Sequence, residues 1–228
     1  MYALYNILYI EIVAFREKRK YNEKENSEIT RRKKNGYIYT SHNPGWVKRN
    51  RVPAEFGDDD LKRIILFYVF NTPCEQLSSS SIPLTAYGWP KTVWKNNTLK
   101  EALWSVAKLK RDKTFIVAKN VYDMKDACQK ADLTGKFQEH RETERVAIYK
   151  PSNYPEFMAV FYHIRNALAH GRLAMYKYGK DIIFVLEDGI KSGDRFQVRS
   201  RMVLKKSTLL KWIDLLESGP KKDDMKAR

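Results

Sequence analysis

The sequence predicts a mainly α-helical fold: a helical bundle closed by a C-terminal β-hairpin and a final helix, with an N-terminal region of uncertain α+β character. Three observations predict it. Residues 59–71, 98–107 and 155–170 carry apolar side chains at helical spacing, two β-branched and aromatic runs follow near the C-terminus, and Leu209, Leu210, Trp212, Ile213 and Leu216 then restore the helical period. At 228 residues and 43% hydrophobic, the chain can bury a core.

Residues 1–15 are rich in Ile, Leu and Tyr without Gly or Pro, which suits a buried first element, helix favoured over strand by length. Asn6 and Glu11 interrupt the run, no basic residues precede it and no small-residue cleavage site follows, so neither a signal peptide nor a membrane span is expected there. Residues 16–51 turn to charge and turn formers, including Arg31-Arg32-Lys33-Lys34 before Asn35-Gly36, and predict a solvated, partly mobile region.

Asp58, Asp59 and Asp60 offer caps and negative charge for a helix over about 59–71, with Leu61, Ile64, Ile65 and Tyr68 on one face. A loop through the Ser78 to Ser81 run, Pro83, Gly88 and Pro90 leads to Thr98 and Glu101, spaced as a capping box before Leu99, Leu103 and Val106. Residues 114–121 suit a strand and 123–133 a short helix, whereas 134–149 are too charged and too weakly periodic to assign. Pro155 suits a first helical turn, and Phe157, Phe161, Ile164 and Leu168 then form one apolar face that stops at Gly171. Residues 181–187 and 196–204 read as an antiparallel pair, with Asp188-Gly189 and Ser192-Gly193 as turn signals. Ser207 is the cap candidate of the last helix and Gly219-Pro220 its stop. The chain thus divides into a basic region 1–52, a helical region 53–150 that joins the bundle or forms an accessory domain, a core segment 151–218 and a disordered tail 219–228.

Lys and Arg total 43 against 27 Asp and Glu, a net charge of +16, so an acidic partner is expected. Two cysteines, Cys74 and Cys128, outside any metal-ligand spacing, disfavour a disulfide scaffold and a zinc cluster and point to a reducing compartment, the cytoplasm. No Gly-rich phosphate loop, H-E-x-x-H helix or legible Ser/His/Asp arrangement suggests another enzyme class. No metal or cofactor is expected.

The chemistry-bearing segment is YHIRNALAHG, which places Arg165, Asn166 and His170 on a helix whose other face is apolar. At about 100° per residue, Asn166 and His170 share a face with His163, whereas Arg165 and His170 diverge by about 140°. Two copies of the helix about a two-fold axis would bring both residue types to one cleft, and Ala159, Ala167 and Ala169 are small enough to allow it. A homodimer with a composite site is expected. His163 could support the site from that face, beside the plainer reading of a dimer-interface or satisfied surface histidine, and Tyr162 could contact RNA, beside the plainer reading of packing.

R-N-x-x-x-H followed by Gly at the end of a long helix resembles the R-x(4–6)-H motif of the HEPN superfamily, over residues 151–218. The resemblance implies a HEPN-like helical bundle and a metal-independent endoribonuclease of the toxin, abortive-infection or antiviral-defence kind, with a cognate antitoxin or defence-system partner. It implies that Arg165, Asn166 and His170 are catalytic. Imidazole has the pKa to move protons to and from ribose oxygens, Arg165 to steady phosphorane charge, and Asn166 to orient either. The products implied carry 2′,3′-cyclic phosphate and 5′-hydroxyl ends.

Tyr37, Tyr39 and Trp46 interleave with Lys48, Arg49 and Arg51, a mixture that single-stranded nucleic acid binding uses for stacking and backbone contacts. Tyr37, Trp46, Lys48 and Arg49 are therefore candidate substrate-binding residues, beside the plainer reading of a strand with a solvated basic edge. The rival functions are a catalytically silent RNA-binding or partner-docking relative and a basic DNA-binding regulator.

Overall fold

A mixed sheet, and not a helical bundle, organises the chain, so the expected mainly α fold is corrected to α+β. The computed structural model describes residues 38–40, 58–74, 77–95, 97–134, 144–192 and 195–220. Strands β2 (Phe115–Ala118), β3 (Arg145–Tyr149), β6 (Arg195–Lys205), β5 (Asp181–Ser192) and β4 (Leu173–Tyr178) lie side by side in that order. The three-residue β1 (Ile38–Thr40) pairs with the start of β6. The β2–β3 pair is parallel and every other pair antiparallel.

Two of these strands escape a sequence reading for physical reasons. β3 offers only five residues behind a charged stretch, and β4 follows the helix-ending Gly171 with a mobile-looking Lys177 inside it. β3 exists because β6, distant in sequence, supplies its antiparallel ladder, and β4 because it turns straight back into β5 as a tight hairpin. The β5–β6 pair is expected, but it runs past Asp188-Gly189, where the turn signal becomes a β-bulge rather than a turn.

Alternation along β5 and β6 divides the core in two. Phe184, Leu186, Met202 and Leu204 face one layer of helices, α1 (Asp59–Ile65), α2 (Asn97–Val106), α4 (Glu156–Ala169) and α5 (Lys206–Glu217). Ile183, Val185, Val198 and Val203 face α3 (Met124–Lys130), through Met124, Ala127 and Cys128. The larger half is aromatic: Phe161 of α4 stacks on Tyr68 at 5.4 Å and meets Trp212 of α5 at 5.8 Å. The buried polar tips find backbone acceptors, Tyr68 Oη donating to Leu209 O at 3.0 Å and Trp212 Nε1 to Leu103 O at 2.9 Å. This core takes residues from both sides of residue 150.

The helix ends refine the expected caps. Asp58 does cap α1, its Oδ1 accepting from Asp60 N at 2.9 Å, and a π-helical turn, Leu66–Phe70, continues the helix. Helix α2 begins at Asn97, which puts Thr98 inside the first turn instead of at its cap. Likewise α5 begins at Lys206, and Ser207 donates its hydroxyl to Asp181, which closes the helix end from the hairpin. The expectations for residues 1–37, 41–57 and 221–228 lie outside the described residues. Among the described residues no helix is long and apolar enough to cross a membrane.

Candidate functional site

Helix α4 is anchored by its apolar face, which fixes everything on its polar side. Phe157, Val160, Phe161, Ile164 and Leu168 are buried, so the helix cannot rotate without emptying the core. His163 and Asn166, three apart and therefore neighbours on one face, turn toward the sheet and reach the same carboxylate, Asp188 of β5.

A continuous run of hydrogen bonds results. The imidazole of His163 bridges Tyr149 O, 2.8 Å from Nε2, and Asp188 Oδ2, 2.7 Å from Nδ1. Asn166 Nδ2 donates to the same Asp188 Oδ2 at 3.3 Å, and Arg165 Nη1 donates to Asn166 Oδ1 at 3.4 Å. The Tyr162 hydroxyl is hydrogen-bonded to the Asn166 side chain, and burial pushes that hydroxyl's pKa up. His163, Asp188, Arg165 and Asn166 are all buried, at 1%, 4%, 4% and 6% of full exposure.

Asp188 follows Phe184 and Leu186 on the face of β5 that meets α4, and a bulge comes directly after it. Asp188 pairs with Ser200 and Gly189 with Val198, which leaves Arg199 as the extra residue of β6. Bulges re-aim side chains beside functional sites. Arg199 lies with its guanidinium 5.9 Å from the centre of the Tyr149 ring, and its charge acts on Tyr162. On the opposite face of the sheet the preceding residue, Glu187, is fully buried between Arg172 and Arg201, with Arg201 Nε at 2.9 Å. Successive acidic residues of β5 are thus each held by bases, one on each side of the sheet, which pins the strand at the site.

Of the three residues expected to be catalytic, the structure brings Arg165 and Asn166 into this network. His170 stands one helical turn beyond Asn166 as the C-cap of α4, exposed, its backbone N–H donating to Asn166 O at 3.0 Å. Of the readings of His163, the surface histidine is corrected: it is buried, and it meets the carboxylate that Asn166 also reaches, as a residue supporting the site would. Asp188 and Arg199 were not legible as site residues at all. A run such as Glu187-Asp188-Gly189 between two strand patterns reads as a turn, and only the pairing register shows otherwise. Tyr37, Trp46, Lys48 and Arg49 lie outside the described residues. Cys74, whose thiol donates to Met158 O at 3.4 Å, closes the far side near Arg165; burial pushes its pKa up to about 12, with the Arg165 charge drawing it slightly back.

Compared with protein-family models, curated proteins and solved structures, the chain gives no match. The reading of the site therefore rests on its residues and their geometry.

Proposed function

We propose that the chain is a metal-independent endoribonuclease that cuts RNA by attack of the ribose 2′-hydroxyl on the adjacent phosphate. The observation that carries this reading is the disposition of α4, which holds Arg165 and Asn166 in a fixed, buried network and presents His170 to solvent one turn away.

In this scheme His170 accepts the 2′-hydroxyl proton as the oxygen–phosphorus bond forms, and the His170 of a second copy protonates the 5′-oxygen as its bond to phosphorus breaks. The positive charge of Arg165 offsets the charge of the phosphorane, more effectively for being buried than it would be in water. The active unit is a homodimer, since one helix cannot aim Arg165 and His170 at a single phosphate. The net charge of +16 suits a polyanionic substrate. The protein works in the cytoplasm as a toxin or antiviral-defence effector, restrained by a cognate antitoxin or another defence-system partner.

A second reading is favoured by one specific observation, the burial of Arg165 and Asn166. It is a catalytically silent protein that binds RNA or docks a partner, with the motif serving the fold. Expression in a bacterial host separates the two. The ribonuclease arrests growth and its His170→Ala form does not; equal toxicity of both forms contradicts the nuclease.

A further inference from the structure

We propose that Asp188 and His163 form a positioning pair that fixes which way the Asn166 amide faces and, through it, where the Arg165 guanidinium is held. The consequence for activity rests on the ribonuclease reading; the hydrogen-bond assignment does not.

The argument starts from the atom that has no choice. A backbone carbonyl only accepts, so His163 Nε2 carries a proton for Tyr149 O at 2.8 Å. The other ring nitrogen faces a carboxylate oxygen at 2.7 Å, a distance that requires a proton between them. Asp188 Oδ2 also accepts from Asn166 Nδ2 at 3.3 Å. With its NH₂ turned to Asp188, Asn166 must present Oδ1 to Arg165, and Nη1 meets it at 3.4 Å. Rotating the amide by half a turn would set Oδ1 against a carboxylate and NH₂ against a guanidinium, two repulsive contacts in a buried place. The amide therefore has one orientation. The pair imposes it from β5, whose ladder with β6 is in register up to Asp188.

Asp188 and His163 touch no substrate in this account; they act through Asn166. The carboxylate is the residue to change, because Asp188→Asn keeps the shape and removes the charge. In isotope-labelled wild-type protein, nuclear magnetic resonance is expected to show a strongly deshielded proton between His163 Nδ1 and Asp188, and the Asn166 NH₂ close to Asp188. Asp188→Asn is expected to lose that proton signal, to shift the Asn166 amide resonances and to lower kcat on RNA about 100-fold at little-changed KM. A wild-type spectrum with no such proton, or with the Asn166 NH₂ turned to Arg165, overturns the proposal, and that reading needs no folded variant. A folded Asp188→Asn protein with unaltered Asn166 resonances and unaltered kcat overturns it too. Absence of cleavage by the wild type sinks the ribonuclease reading instead, and the spectrum still decides the positioning pair.

Discussion

Gly189 lies against Phe196 across the β5–β6 pair so closely that a Cβ at position 189 would come within 2.6 Å of the Phe196 ring, and nearer still to the Gln197 carbonyl. The first obstacle is a buried ring and the second is backbone, so neither can swing aside. Glycine is required here for space, and the bulge directly after Asp188 depends on it.

Gly189→Ala is accordingly expected to destabilise the protein by about 3 kcal/mol, the upper end of the usual cost of overpacking. The midpoint of urea unfolding measures it. An unchanged midpoint would mean that the bulge beside Asp188 tolerates a side chain and is not rigid.

The two cysteines give a pH prediction. Burial pushes both thiols from 9.0 up to about 12, Cys74 beneath α4 and Cys128 against the other face of the sheet. The native state holds them protonated, so their contribution to stability is whole below 9.0 and is lost as pH rises through 12. The thiolate is the reactive form. At about pH 8 an alkylating reagent is expected to modify neither cysteine in the folded protein and both in denaturant, with mass spectrometry as the readout. Rapid labelling of native Cys74 would place the region beside Arg165 in contact with solvent.

Arg165 and His170 are expected to differ sharply in what their removal does to the fold. Arg165→Ala empties a buried position and strips Asn166 of its donor, a loss of about 2 to 4 kcal/mol by analogy with other broken buried charge networks. His170→Ala, at an exposed helix end, is expected to change stability by no more than about 0.5 to 1 kcal/mol. Thermal unfolding of the two variants side by side measures the contrast. Equal losses would show that His170 is as much a structural residue as Arg165.

How far the sequence discloses this protein depends on how local each feature is. Helix α4, the β5–β6 pair and α5 are legible because Phe157, Phe161, Ile164 and Leu168, and then Trp212, Ile213 and Leu216, carry their own periodicity. The sheet as a whole is not, since β3 finds its antiparallel partner β6 far along the chain, and both β3 and β4, the latter a hairpin with β5, have little pattern of their own. The same division runs through the site. Arg165, Asn166 and His170 stand out as a spacing on one helix, but Asp188 meets α4 because β5 runs on through what reads as a turn, and that continuation is a property of two paired strands. His163 shows its helical face in the sequence; its burial follows from the strand end at Tyr149 and the carboxylate beside it.

The measurement that tests the central claim most directly is the chemistry of the RNA ends. Purified wild-type protein and His170→Ala protein are incubated with total RNA in the presence of a chelator, and the fragments are analysed for terminal groups. The wild type is expected to release fragments with 2′,3′-cyclic phosphate and 5′-hydroxyl ends, and the folded His170→Ala protein none. Cleavage that the chelator abolishes, fragments ending in a 3′-hydroxyl, or equal cleavage by the two proteins would contradict the account.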